Sequence, residues 1–315
     1  MSTYFFDFII VAFLIYSIYW MYIIIHSFLK HKKISLLQII IFAIALLVFI
    51  SLIYGSFIEP RLITLKNIDL TIGSTPEKES IKIVFITDTH AGKYKKGNYF
   101  KKIAKLTLQQ NPDLILFGGD YIFQKAEYAK YLKPFELLDH KFPMYAVTGN
   151  HEYNKASYFD NRELIDKSQP TRELFQKIGI EFLDNKNQII SLQNQEIAII
   201  GVEDMYAKKD DLDKALENIP ANILKILISH NPDIILQDKA QMINLVLSGH
   251  THAGQIRLPW FGAIPGLGTK LGKKYDQGLF KTQNGYLYIS AGLGESGTRA
   301  RFFNRPELTI INLDL

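Results

Sequence analysis

Cysteine is absent from all 315 residues. Disulfides and thiolate-held metals are therefore excluded, so any metal here must be held by His, Asp, Glu, Asn or water. Charge is nearly absent from one end: residues 1–59 hold three of the 36 Lys+Arg and two of the 31 Asp+Glu. The remainder carries a formal net +4, with no basic cluster of the kind that nucleic-acid binding requires. No nucleic-acid partner is expected. Fixed-period repeats and low-complexity tracts are also missing, and the length suits one large domain or two ordinary ones.

The uncharged end contains two long apolar runs, residues 4–29 and 36–54. Each approaches the roughly 20 residues that cross the hydrocarbon core as a helix. Tyr and Trp occupy positions suited to interfacial belts. A cleavable signal peptide would need a basic start, a shorter apolar core and a small-residue cleavage site, and none is present. Two consecutive helices apolar all round are unusual in a soluble core. Residues 1–58 are therefore expected to anchor the chain in the cytoplasmic membrane through two transmembrane helices. Residues 59–80 read as a linker with one strand, and 81–315 as the soluble domain. Lys30, Lys32 and Lys33 in the short link favour a cytoplasmic loop, which puts the domain outside.

From residue 81 the pattern changes to alternation. Short β-branched runs at 81–88, 113–120, 144–152, 196–204, 223–231, 242–250, 286–292 and 307–313 read as strands. Helical spacing occupies 98–110, 128–140 (broken near Pro134), 171–180 (ending at Gly179) and 210–219. Such alternation predicts an α/β sheet with helices on its faces.

Five of the apolar runs end in residues that can bind metal: Asp88-Thr89-His90, Gly119-Asp120, Gly149-Asn150-His151-Glu152, His230-Asn231 and Gly249-His250-Thr251-His252. In open α/β sheets, sites form outside the carboxyl ends of the strands. The pattern thus gathers Asp88, His90, Asp120, Asn150, His230, His250 and His252 on one rim. A turn Asp or a solvated His explains any one motif alone, but not all five in register with strand ends. Seven groups exceed the needs of one ion and suit two ions sharing a carboxylate. Mixed O and N donors point to Mn²⁺ first, with Fe or Zn²⁺ as alternatives, and away from Mg²⁺.

These motifs, D-x-H, G-D, G-N-H-E, H and G-H-x-H over residues 81–315, resemble the calcineurin-like metallophosphoesterase superfamily. "GHTHAGQ", "GVED" and the tail "SAGLGESGTRARFFNRPE" resemble its membrane-anchored branch of YkuE-like and YaeI-like phosphohydrolases, near the UDP-2,3-diacylglucosamine hydrolases. The resemblance implies a four-layer α/β/β/α sandwich preceded by the two transmembrane helices. It implies one metal on Asp88, His90 and His252, a second on Asn150, His230 and His250, and Asp120 bridging them. His151 falls where the family places a histidine that contacts phosphate and helps the leaving group depart. Many members carry an acid shortly after G-D; this chain has Phe123 and Gln124, leaving His151 without an evident carboxylate partner.

The activity implied is metal-dependent hydrolysis of a phosphoric ester or anhydride. The anchor adds the bilayer as partner and favours a lipid-linked substrate such as UDP-2,3-diacylglucosamine, releasing UMP for lipid A synthesis. That nucleotide lipid is cytoplasmic, against the lysine-loop orientation. Phospholipid head groups or cell-envelope phosphodiesters are the alternative. Arg299, Arg301 and Arg305 in the C-terminal loop are candidates to grip phosphate. The Gly-rich apolar segment 258–272 is a candidate for an acyl chain or the membrane interface, against the plainer reading of a loop with packed aromatics. A non-catalytic binding module that kept the fold would betray itself by a lost ligand, yet every ligand position is filled.

Overall fold

The computed structural model describes residues 3–30, 33–72, 80–264 and 266–314. Parts of three expected features fall outside them: Lys32 of the lysine loop, 73–79 of the linker, and Pro265 of the Gly-rich segment.

Two helices come first, α1 (Thr3–Leu29) and α2 (Leu36–Ile53). Both are long and apolar enough to cross a membrane, and the candidate spans are Asp7–Leu29 and Leu36–Arg61. The most apolar window of the second has none of its residues buried in the protein, unlike the core helix of a soluble domain. Ser35 starts α2 by a capping box: Gln38 N donates to Ser35 Oγ at 3.3 Å, and Ser35 N donates to Gln38 Oε1 at 2.9 Å. A π-type turn (Tyr54–Ile58) and a 3-10 turn (Glu59–Arg61) carry α2 onto the soluble domain.

The domain then runs β1 (Thr64–Thr71), β2 (Ser80–Ile86), α3 (Gly97–Gln109), β3 (Leu114–Phe117), β4 (Met144–Ala146), α4 (Gln169–Lys177), β5 (Ile180–Phe182), β6 (Lys186–Leu192) and β7 (Gln195–Gly201). It continues with α5 (Leu212–Ala215), β8 (Leu224–Ile228), β9 (Leu245–Ser248), β10 (Arg257–Leu258), β11 (Gly262–Ala263), β12 (Gly278–Lys281), β13 (Tyr286–Ile289) and β14 (Glu307–Asp314). One sheet has the order β1-β14-β2-β3-β4-β5; the other has β12-β13-β9-β8-β7-β6.

Strand alternation builds the layers. Ile81, Ile83 and Phe85 of β2 join Ile197, Ile199, Ile226, Ile228, Leu245 and Leu247 in the core between the sheets. Val84 and Ile86 point the other way, against Phe100, Ile103 and Ala104 of α3 and Phe175 of α4. On the far side, Ala198, Ile200, Leu227 and Val246 meet Leu212 and Ala215 of α5. Successive side chains of a strand face opposite ways, so strands apolar on both faces require cover on both. The result is the expected four-layer α/β/β/α sandwich.

Several elements differ from expectation. Residues 126–138 form a 3-10 segment, not an α-helix; Pro134 lacks the N–H that an α-helix would use. The segment 210–219 supplies only one helical turn, capped by Asp211. Strand β6 was not expected. It pairs antiparallel with β7 across Gln193 and Asn194, both in left-handed conformation (φ 48 and 62), the geometry of a tight hairpin turn.

Candidate metal centre

The site forms where both sheets end. β2, β3 and β4 deliver Asp88, His90, Asp120, Asn150 and His151; β8 and β9 deliver His230, His250 and His252. The structure brings all seven expected ligand residues together. Asp88, His90, Asp120 and His252 are buried, with one ligand atom of each within 4.8 Å of all the others. His90 Nε2 lies 3.0 Å from His252 Nε2, and His252 Nε2 lies 3.4 Å from Asp88 Oδ1. A second set closes beside it. Asn150 Oδ1 lies 3.1 Å from His230 Nε2 and 3.0 Å from His250 Nδ1. Asp120 Oδ2 sits between the sets, 3.5 Å from His90 Nε2 and 3.3 Å from His230 Nε2.

Two buried imidazole nitrogens can share at most one proton, and the carboxylates beside them offer only acceptors. An O/N donor set this dense is the kind that a divalent transition ion satisfies, so the residues fit metal binding.

The backbone is strained where these groups sit. Asp88, His90, Asp120, His250 and His252 all have positive φ, between 43° and 71°. Left-handed non-glycine residues cost on the order of 1 kcal/mol or more each and cluster at functional sites. Glycine permits the close approach: a Cβ on Gly249 would lie 2.0 Å from Asp88 Oδ2, and one on Gly149 would lie 2.3 Å from Asp120 Oδ1.

The family model for calcineurin-like phosphoesterases matches residues 81–254. The chain belongs to this family. It is a hydrolase of the metallophosphoesterase type, with phosphodiesterases and pyrophosphatases among its relatives. It is 29% identical to the metallophosphoesterase YkuE of Bacillus subtilis, over 82% of this chain and 88% of that protein. It is 30% identical to the UDP-2,3-diacylglucosamine pyrophosphatase LpxG of Chlamydia muridarum, over 82% of this chain and 92% of LpxG. The phosphodiesterase YaeI of Escherichia coli is 28% identical, over 74% of this chain and 82% of YaeI.

In this phosphoesterase the histidines differ in charge because their neighbours differ. Burial alone would lower the pKa of His230, but the charge and hydrogen bond of Asp120 outweigh it and push it up to about 10. His250 is lowered to about 4 by burial and by His230. Burial would raise Asp120, yet the charges of His230 and His151 hold it well below the ordinary carboxylate range. Asp120 and His230 thus favour each other's charged forms across 3.3 Å, and a cation binding there competes with the proton on His230.

Several contributors to the site were not legible as such. Glu152 is buried, and its carboxylate accepts from Asp120 N, Tyr121 N and Gly149 N, each at 2.9 Å. It locks the G-D turn to the G-N-H-E turn. Its place inside the motif was the available signal. His151 Nε2 finds Ser296 Oγ at 3.2 Å, and its ring stacks on Phe123 at 5.6 Å between centroids. A hydroxyl and an aromatic face thus stand beside His151, with Asp120 Oδ2 3.9 Å away. Ser296 lies 145 residues from His151, so no local pattern could have paired them. Tyr206 Oη meets His250 Nε2 at 2.8 Å.

None of the three arginines lines the main metal cleft, although Arg299 borders a small side pocket with His90. Arg301 is fully buried; its guanidinium donates to the carbonyls of Ala291 and Gly292 at 2.9 and 3.1 Å and lies 3.4 Å from Glu295. The expected phosphate grip by Arg301 is therefore corrected to a structural role, supporting the loop against Asp88 and His90. Arg299 lies over the rings of Phe57 and Tyr94, and Arg305 lines a separate groove with Tyr54 and Glu59.

The α/β domain is also tied to the two N-terminal helices. The buried carboxylate of Glu59 accepts from Phe303 N at 3.0 Å and Asn304 N at 2.6 Å. Asn304 Nδ2 in turn donates to the carbonyl of His252 at 2.7 Å. At the other helix, Asp7 accepts from Tyr94 Oη at 2.5 Å and lies 3.6 Å from Arg299.

Proposed function

We propose that this protein is a membrane-anchored, dimetal-dependent phosphohydrolase that cleaves a phosphodiester or pyrophosphate bond in a lipid-linked substrate. The observation that carries this reading is the pair of donor sets meeting at Asp120 Oδ2, on the floor of a cleft of about 320 Å³. Asp88, His90 and His252 would hold one ion, Asn150, His230 and His250 the other, and Asp120 both. Mn²⁺ is the favoured ion, with Fe or Zn²⁺ as alternatives. Such ions would activate water and neutralise phosphoryl oxygens.

His151 lines the same cleft, and its Nε2 is oriented by the hydroxyl of Ser296. From there it protonates the departing oxygen, the position a general acid must reach. Beyond His151 the cleft adjoins a smaller pocket of about 160 Å³ lined by Lys155, Arg162 and Lys167. Arg162 there is paired with Asp160, while Lys155 and Lys167, held by the carbonyl oxygens of Asp160 and Asn154, bring charge suited to a second phosphate, which favours a pyrophosphate. The likeness to LpxG over most of both chains supports UDP-2,3-diacylglucosamine.

In this reading residues 1–58 anchor the enzyme in the cytoplasmic membrane. Asp7 and the end of α2 both contact the α/β domain, so Leu29 and Leu36, which flank the lysine link, lie at the far ends of their helices, about 33 Å from Asp7 along α1. The lysines of that link favour a cytoplasmic loop and an external domain. This supports a second reading, a phosphodiesterase acting on phospholipid head groups or cell-envelope phosphodiesters. One experiment separates them. Detergent-purified protein is incubated with Mn²⁺ and a membrane-lipid extract containing UDP-2,3-diacylglucosamine, and products are read by mass spectrometry. Release of UMP supports the first substrate; release of head groups with the nucleotide lipid untouched supports the second. No phosphoester turnover in any fraction would sink the proposal.

A further inference from the structure

The strands β10 and β11 form a small hairpin whose outward residues are apolar. Trp260 is fully exposed, and Leu258, Phe261 and Ile264 are exposed beside it. Trp260 is also held at φ 65, a conformation unusual for a bulky residue. A contiguous exposed apolar tip marks an interaction site.

Three observations say what covers it. First, its base is fastened to the emerging membrane helix. Ile256 bridges Phe302, Arg257 N donates to the Phe302 carbonyl at 2.9 Å, and the Phe302 ring meets that of Tyr54 at 6.3 Å between centroids. Arg301 N donates to the carbonyl of Gly55 in the helix extension itself, at 2.9 Å. Second, the exposed Lys273 and Lys274 follow β11 in the next connection, which the 2.6 Å ion pair of Asp276 with Arg257 ties back to the hairpin. Aromatic side chains beside lysines are the composition of segments that settle at an anionic membrane surface. Third, the inner side of the loop walls the metal cleft through Gly254, Gln255, Leu267 and Gly268.

We propose that residues 257–264 form an interfacial anchor. Trp260 and Phe261 enter the boundary between headgroups and acyl chains beside α2, while Lys273 and Lys274 face anionic headgroups. The cleft mouth is thereby held against the lipid surface from which a lipid-linked substrate arrives. The inference rests on the membrane reading of α1 and α2.

Tryptophan fluorescence tests it directly, because the chain has only two tryptophans, Trp20 and Trp260. Full-length Trp20→Phe protein is reconstituted into phosphatidylcholine–phosphatidylglycerol vesicles, with and without lipids brominated near the headgroup. The expected result is blue-shifted Trp260 emission that shallow bromines quench. Emission typical of water, quenched by iodide and untouched by bromolipids, would overturn the proposal. Emission shielded from both, with cross-linking between two copies, would also overturn it in favour of a self-association face. Vesicle flotation keeps the two readings distinct: a chain that fails to float defeats the membrane reading, whereas one that floats with Trp260 in water defeats only the anchor. As a second arm, Trp260→Ser with Phe261→Ser in the otherwise native chain should raise KM for vesicle-borne substrate about tenfold. Turnover of soluble bis(p-nitrophenyl) phosphate should stay unchanged. Equal loss on both substrates, or on neither, would count against the proposal.

Discussion

On the cleft floor, six of the seven candidate ligand residues are buried and five hold left-handed backbone. On the outer wall, Trp260, Phe261 and the lysines that follow stand exposed. The floor spends conformational strain to hold donor atoms about 3 Å apart. The wall is strained too, at Gln255 and Trp260 (φ 56 and 65), but there the strain presents a surface. The contrast separates two kinds of construction: crowded, strained residues fixed at strand ends, and a loop whose neighbours are set by the end of α2.

The largest effect should come from the floor. Asp120→Asn keeps the shape but removes the charge shared by both donor sets. Turnover of a soluble diester with Mn²⁺ should fall to background, and bound metal measured by elemental analysis should fall with it. Full activity in this variant would defeat the dimetal proposal. Gly249→Ala reaches a similar end by another route. Its new Cβ would lie 2.0 Å from Asp88 Oδ2 and 2.4 Å from Thr87 Oγ1, with no room to give. Metal content should drop sharply, accompanied by about 1–3 kcal/mol of lost stability from overpacking, seen as a lower melting temperature. Retained metal at wild-type affinity would show the floor to be softer than its strain implies.

His151 marks the boundary between floor and wall. It belongs to neither proposed donor set, so His151→Gln should leave metal content unchanged while lowering kcat by about 10²–10⁴. The loss should shrink for substrates with good leaving groups such as p-nitrophenol, which need no proton. Ser296→Ala removes only the hydroxyl at 3.2 Å from His151 Nε2. One neutral hydrogen bond is worth about 0.5–1.5 kcal/mol, so kcat should fall about two- to tenfold, again without metal loss. An unchanged kcat would leave Phe123 as the support for the His151 ring.

The same contrast explains what could be read from sequence. The floor was legible because its chemistry recurs at the ends of apolar runs: D-x-H, G-D, G-N-H-E and G-H-x-H each sit where a strand stops. The layered fold was legible because β2, β8 and β9 are apolar on both faces. Strand β6 was not, since its alternation is diluted by Lys186, Asn187 and Gln188 and its turn lacks glycine. The partner of His151 and the interior place of Arg301 were illegible for a different reason. Both depend on contacts between segments far apart in the chain. An arginine that donates to carbonyls inside a loop looks, in sequence, like one that waits for phosphate.

The remaining link runs from the end of α2 into the floor, and it predicts the smallest effect. Glu59 accepts two backbone N–H groups of the 303–304 turn, and Asn304 passes the restraint to the carbonyl of His252. The His252 ring has no second partner of its own: its Nδ1 makes no hydrogen bond among the described residues. Glu59→Gln turns one acceptor oxygen into a donor that faces an N–H group. A buried unpaired donor costs about 1–3 kcal/mol, so the melting temperature should fall. Support one step beyond a ligand's immediate partners should matter less than the roughly 10–100-fold typical of those partners. Metal affinity should therefore weaken by less than tenfold, with kcat at saturating Mn²⁺ preserved. If stability falls and metal affinity does not, Glu59 merely fastens the loop to the helix, and floor and anchor are energetically separate. If both fall together, the end of α2 is part of the metal site.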